Sequence, residues 1–291
     1  MEVSRVPLIK NRYGKGRVRI MRIHRDGERR EVSQLNIKVM IEGEFAGTYT
    51  RADNTKTVST DTIKNVVNVV ARENTGLCTE DFCQALARKY LDLYRQVTSV
   101  DVTAHETKWS RLSFGGKPHA HSFILDGNGR PTVEVTATRE GSALASGIDG
   151  FTFMKSTQSG WEDYVKDPYT TLKETDDRIC ATSMVASWKW SARPQNYPAT
   201  NAKILATLLE VFGTTYSASV QDSLYRMGEA ALSAVPEISE ISMACPNMHF
   251  IPINLSAFGL DNNNDVFLPT DEPHGQIECT VGRGRYPSLP A

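Results

Sequence analysis

The sequence predicts an α+β protein made of two similar units in tandem. Three observations lead there. A chain of 291 residues is long for one domain and ordinary for two. In the first half, alternating and β-branched segments enclose two stretches of helical periodicity. The second half repeats that order of elements, although no repeat is visible as sequence identity.

Val18, Ile20 and residues 32–41 (VSQLNIKVMI) alternate apolar with polar side chains, which predicts two antiparallel strands joined by a charged turn around Asp26 and Gly27. From Asp61 the spacing of Ile63, Val66, Val67 and Val70 is helical, and Ser59 or Thr60 is placed to cap the first free amides. A second helix follows Thr79, with Phe82, Leu86, Tyr90 and Leu93 as its apolar stripe. Strands return over residues 99–107, 119–125 and 132–138. In the second half, residues 150–156 and 180–190 read as strands, 202–216 and 220–235 as helices, and 238–244, 250–255 and 276–281 as strands. Ser219 followed by Asp222 has the form of a capping box, with Asp in place of Glu. The join falls near residues 140–149, so the expected domains are 1–145 and 146–291, the latter ending in a loose tail over 282–291.

Composition excludes several classes. Lys and Arg total 33 against 34 for Asp and Glu, so no bulk field gathers phosphate backbones or anionic lipid, and neither nucleic acid nor membrane is an expected partner. No apolar run approaches the roughly 18 residues of a spanning helix, and the start has no signal-peptide pattern, which gives an intracellular expectation. Cys78, Cys83, Cys180, Cys245 and Cys279 are odd in number and scattered, which suits free thiols in a reducing compartment. There is no Walker loop, no Gly-rich phosphate loop and no G-x-S-x-G elbow.

What is left is a set of polar clusters at the ends of regular elements. Lys15, after Tyr13 and Gly14, is either a solvated charge or an amine whose proton affinity burial lowers, so that it can serve as a base. Thr60 and Asp61 open a helix, where capping accounts for them; equally, a threonine hydroxyl beside a lysine can pass a proton, and helix-start amides suit an electron-rich ligand. Trp161 and Arg178 are either a core indole and one half of an ion pair with Asp176 or Asp177, or an aromatic platform with a guanidinium fork for a flat heterocycle. Gln221 begins another helix, and Asn247 and His249 alternate on a strand so that both point to one side. His119 and His121 put two imidazoles on one strand face, which could supply half of a metal site, but no Cys or carboxylate nearby gives a clear third ligand.

Taken together and in order, Tyr13-Gly14-Lys15, Ala52-Asp53-Asn54, the run from Thr60 to Asn65, Gly116-Lys117-Pro118-His119, the run from Lys155 to Gly160, residues 169–174, Asp177-Arg178, Ser219-Val220-Gln221, Pro246-Asn247 with His249, and the run from Cys279 to Arg283 closely resemble the urate oxidase (uricase) family. The likeness spans nearly the whole chain. It implies the tunnelling fold (T-fold): two tandem domains with antiparallel sheets and helices on one face, assembled into a homotetrameric barrel around a tunnel. It implies active sites at subunit interfaces, with Lys15, Thr60 and Asp61 from one chain and Trp161, Leu172, Arg178, Val220, Gln221, Asn247, His249 and Ile277 from its neighbour. Lys15, Thr60 and His249 would form a proton relay. Arg178 and Gln221, with the amides of Asp61 and Val220, would hold the purine edge, Trp161 would stack on the ring, and Thr60 and Asn247 would hold oxygen or water.

The implied reaction oxidises urate with O2 and water to 5-hydroxyisourate and hydrogen peroxide in purine catabolism, with no cofactor and no metal. The family position matched by Trp161 is usually Phe. The expected location is the cytoplasm in a bacterium and the peroxisome in a eukaryote, although the chain ends Ser288-Leu289-Pro290-Ala291, which is not a Ser-Lys-Leu type signal and does not itself support peroxisomal import. A non-catalytic purine or pterin binding module of the same fold, and a metal-dependent hydrolase using His119 and His121, are the alternatives.

Overall fold

The computed structural model describes residues 6–284; the final residues of the expected tail, 285–291, lie outside the described residues. The chain divides into two compact units after Ser146.

In the first unit, β1 (Tyr13–Asp26) and β2 (Arg29–Gly43) form the expected hairpin, and the sheet continues in the order β1-β2-β3-β6 with β3 (Val97–Thr107) and β6 (Arg130–Ala137). All three pairings are antiparallel. Leu35, Ile37, Val39 and Ile41 of β2 are at most 1% exposed, so one face of this strand is buried. Helices α2 (Thr60–Glu73) and α3 (Thr79–Leu93) cover the sheet, α2 against β1 and α3 against β3 and β6. In α2 the predicted Ile63, Val66, Val67 and Val70 all point inward. Ser59 is the cap, its hydroxyl accepting from the Thr62 N–H at 3.0 Å. The α3 stripe differs at one position: Phe82, Leu86 and Tyr90 are buried, whereas Leu93, in the last turn, is 51% exposed and Leu91 points inward instead. A short helix α1 (Ala46–Arg51) and a two-stranded ribbon, β4 (Trp109–Phe114) with β5 (Lys117–Leu125), complete the unit. Arg111 fastens the ribbon by donating to the carbonyls of His119 and Ala120 and to the Glu31 carboxylate.

Side chains buried beneath the first sheet are tied by hydrogen bonds, with the Arg22 Nε left without a protein acceptor. The Arg22 guanidinium lies over the Phe82 ring at 4.3 Å and donates to the Asn74 carbonyl and the Ser33 hydroxyl. Thr79 donates to the Glu106 carboxyl at 2.6 Å, and Ser146 to that of Glu80 at 2.7 Å.

The second unit has the strand order β7-β8-β9-β10. The expected join at 140–149 lies largely inside β7 (Ser142–Lys155), whose alternation begins earlier than its β-branched core. Residues 238–244 and 250–255, expected as two strands, are one continuous strand for most of their length, β9 (Ile238–Pro252), because Pro246 is accommodated within the pairing with β10 (Phe267–Gly282). β8 is Cys180–Trp190. Helix α4 (Tyr197–Thr214) starts before the expected residue 202: Asn196 accepts from the Ala199 N–H at 2.9 Å and Pro198 occupies the first turn. α5 is Val220–Ala234. Its capping box is half formed. Ser219 accepts from the Asp222 N–H at 3.0 Å, but Asp222 turns outward to Arg226. Met184, Trp188, Ile241 and Met243 from the sheet pack with Ile204, Leu208, Leu224 and Met227 from the helices in one apolar cluster.

Candidate active site

In the first unit, strand register decides where Lys15 points. Lys15 pairs with Val39 and Val18 with Ile37, so two residues, Gly16 and Arg17, stand opposite Lys38 alone. This is a β-bulge, and Arg17 takes the left-handed conformation it requires, with φ of 56°. Residues directly opposite in an antiparallel pair share a face. Lys15 therefore joins Val39 on the helix-covered side, which strict alternation from Val18 denies it. Gly14 permits the close approach: a β-carbon there would lie 1.8 Å from the Val39 carbonyl oxygen. The Tyr13 hydroxyl accepts from the Val58 N–H at 2.8 Å, tying the segment before α2 to this end of β1.

Asp61 lies within electrostatic reach of Lys15, and Thr60 precedes it at the start of α2. Ser59 takes the N–H of Thr62 with its hydroxyl and that of Ile63 with its carbonyl, so the amides of Thr60 and Asp61 are those the helix start leaves for an outside acceptor. The Asp61 carboxyl is held below its usual range, first by the Lys64 ammonium at 2.5 Å and, with a smaller effect, by Asn65 and Lys15.

The second unit repeats the device. Ser219 takes the N–H of Asp222 and, through its carbonyl, that of Ser223, leaving the amides of Val220 and Gln221. Beside this helix start the chain is stitched into a compact knot. Gly160 donates to the Ser217 carbonyl, Ser217 to that of Gln158, and Arg178 to that of Ser159. Trp161 and Thr175 exchange both backbone hydrogen bonds, at 2.7 and 3.2 Å. The result brings together Trp161 and Arg178, with the guanidinium carbon 6.0 Å from the indole centroid. Arg178 has no ion pair among the described residues. Asp177, one of its expected partners, accepts from Thr157 instead, and the Arg178 Nε is buried without a protein acceptor. A buried guanidinium nitrogen of this kind calls for an acceptor from a bound molecule.

The far wall comes from the sheet. Asn247 pairs with Thr182 on one side and Gly275 on the other, and Ile277 pairs with Cys245. Cys245, Thr182 and Met243 are buried on the helix-covered face, and Asn247 and His249 continue that alternation. At Gly275 a β-carbon would touch both Ile277 and Asn247, so these two side chains converge there. Ala181 pairs with Met248, which places the approach to β8, and with it Arg178, beside Asn247 and His249. Leu172 is 63% exposed, and its carbonyl accepts from the Tyr164 hydroxyl at 2.5 Å.

Two contributors, Tyr164 and Tyr216, were not singled out from sequence, and Lys155 stood only as the first residue of the run ending at Gly160. Tyr216 donates to the Asp176 carbonyl at 3.0 Å and fits against Gly160. Lys155 caps the end of α4, donating to the carbonyls of Phe212 and Thr215, and burial lowers the proton affinity of its amine. Tyr164 stacks on Trp161. Each is an aromatic or basic residue outside any periodic pattern, and only the folded loops reveal its partner.

The other sequence candidates are plain. All five thiols are free, and burial pushes that of Cys245 up to about 11. The His119 and His121 rings meet edge to face at 4.6 Å, and among the described residues no group of three His, Cys, Asp or Glu side chains is arranged to hold a metal. No helix among the described residues is long and apolar enough to cross a membrane.

The uricase family model matches residues 11–136 and 144–278. Uricase from Dictyostelium discoideum is 38% identical over 280 residues, covering 95% of this chain and 97% of that protein. Uricase from Aspergillus flavus is 36% identical over 293 residues, covering 95% and 97%. The crystal structure of uricase from Arthrobacter globiformis superposes with a TM-score of 0.91 at 35% identity, covering 99% of both chains. With its helix starts, its stacked indole and its buried guanidinium nitrogen in this frame, the chain belongs to the uricase family.

Proposed function

We infer that this protein is a urate oxidase, an oxidoreductase that converts urate, O2 and water to 5-hydroxyisourate and hydrogen peroxide. Membership of the uricase family supports the reaction. The observation within the molecule that carries the reading is the buried Arg178 Nε beside the Trp161 indole, next to the open amides of a helix start. A flat, electron-rich purine anion answers all three: it stacks, it accepts from a guanidinium, and it accepts from amides.

In the mechanism we propose, Arg178 and Gln221 clamp the purine edge, with the amides of Asp61 and Val220 completing the hydrogen bonds and Leu172 and Ile277 confining the ring. Lys15 and Thr60 draw a further proton from urate, and His249 relays it. The dianion is then a strong enough reductant to pass two electrons to O2, which with two protons becomes hydrogen peroxide. Water held by Asn247 and Thr60 adds to the oxidised ring. The substrate is the electron source, so the reaction calls for no metal or organic cofactor.

We further propose a homotetramer of T-fold subunits around a tunnel, with domains 1–145 and 146–291 and with Lys15, Thr60 and Asp61 completing a site whose other residues belong to a neighbouring chain. Its place would be the cytoplasm in a bacterium or the peroxisome in a eukaryote.

The test is to incubate chelator-treated protein with urate in air while following urate, oxygen and peroxide. Equal consumption of urate and oxygen with equal release of peroxide is expected. Binding without turnover, or turnover only after metal is restored, would reject the reading.

A further inference from the structure

Between the two strands of the Trp161 and Thr175 bridge, residues 162–174 close on themselves. The Asp163 N–H donates to the Glu174 carboxylate at 3.0 Å, Lys166 pairs with the same carboxylate at 2.8 Å, and the Tyr164 hydroxyl donates to the Leu172 carbonyl at 2.5 Å. Inside this loop the Tyr164 ring lies on the Trp161 indole, with centroids 5.5 Å apart and planes 13° from parallel. The Lys166 ammonium lies 5.7 Å from the Tyr164 centroid. One residue thereby touches both the platform and the carbonyl of the residue expected to confine the ring.

We propose that Tyr164 is a positioning residue for the substrate: by covering one face of the indole it fixes the plane of Trp161, and through its hydroxyl it fixes Leu172, so that a flat heterocycle meets a prearranged surface beside Arg178. This rests on the urate oxidase reading of the site. A parallel aromatic pair is stabilised beyond simple burial, and restraining a large side chain before binding spares the ordering cost at binding. Tyr164 touches no reacting atom in this arrangement, so its effect falls on affinity.

The test compares Tyr164→Leu with Tyr164→Phe, measuring urate KM and kcat, the dissociation constant of xanthine, and the tryptophan band in near-ultraviolet circular dichroism. Tyr164→Leu is expected to raise both KM and the xanthine constant about three- to tenfold, to leave kcat within about twofold, and to weaken the tryptophan band. Tyr164→Phe, which keeps the ring, should restore the band and most of the affinity. The spectral change should vanish when Trp161→Leu is already present. Tyr164→Met carries the same expectation should the Leu variant not accumulate as folded protein. A xanthine constant within about 1.5-fold of wild type, or no rescue by Phe, overturns the proposal. If the wild type does not oxidise urate while xanthine binding still responds to Tyr164, the reaction is rejected and the positioning role stands; normal oxidation with indifferent binding rejects the positioning role alone.

Discussion

The hydroxyl of Tyr216 lies 2.1 Å from where a β-carbon on Gly160 would be, and it donates from there to the Asp176 carbonyl. No side chain fits between them, and the backbone of Thr175 and Asp176 closes the remaining space. Gly160→Ala should therefore displace the Trp161 and Arg178 knot, costing about 1–3 kcal/mol of stability. We expect xanthine affinity to fall tenfold or more and the thermal midpoint to drop by a few degrees. Tyr216→Phe in the same chain should recover part of both, and calorimetry with a binding titration checks this.

Arg178→Ala should weaken xanthine binding severely while leaving the fold intact, because its guanidinium makes no ion pair with the protein among the described residues and its Nε is unpartnered. Removing a charged hydrogen-bond partner from a desolvated site costs about 1.5–3 kcal/mol, or roughly 10- to 150-fold in affinity. Normal affinity on titration would refute the clamp.

Lys15→Met and Thr60→Ala should each lower kcat at least tenfold with little change in xanthine affinity, since each removes proton transfer and keeps the clamp. Steady-state kinetics beside the binding titration separates the two quantities, and unchanged turnover in both variants counts against the relay.

Glu106 carries a pH signature in stability. Burial raises its carboxyl above the ordinary range, with the Glu80 charge adding to the shift, and Thr79 and Arg22 opposing it. Its folded proton affinity exceeds the unfolded one, so its contribution is complete below the ordinary carboxylate value and is lost as pH rises through the raised value. Glu106→Gln should stay near wild type in acid and become more stable than wild type above that window. Thermal midpoints measured from pH 4 to pH 8 decide it; a constant offset at every pH would refute the assignment.

Much of this architecture was legible because periodicity reports burial. Ile63, Val66, Val67 and Val70 have one reading, and α2 follows it. Asn196 caps α4 and Pro198 sits in its first turn, ahead of the apolar periodicity from which the start was placed at residue 202. Leu93 was misplaced because a stripe drifts at a helix end, where nothing lies beyond to cover it. Arg178, Asn247 and His249 could be singled out as polar residues at element ends, but their companions could not. Tyr164 and Tyr216 act through backbone carbonyls of Leu172 and Asp176, and a contact to a carbonyl leaves no mark in the residue types on either side.

The bulge after Lys15 makes the orientation of that amine a matter of counting. Replacing Arg17 by Val would remove no group assigned to the site, yet it disfavours the left-handed conformation that the bulge needs, and regular pairing would then turn the lysine toward the uncovered side of the sheet. Such a substitution should silence the protein as thoroughly as replacing the lysine itself, and deleting Gly16 from the same chain should revive it, because Lys15 and Val18 then share a face by plain alternation. In this chain the presentation of that amine and the backbone conformation two residues beyond it are one property.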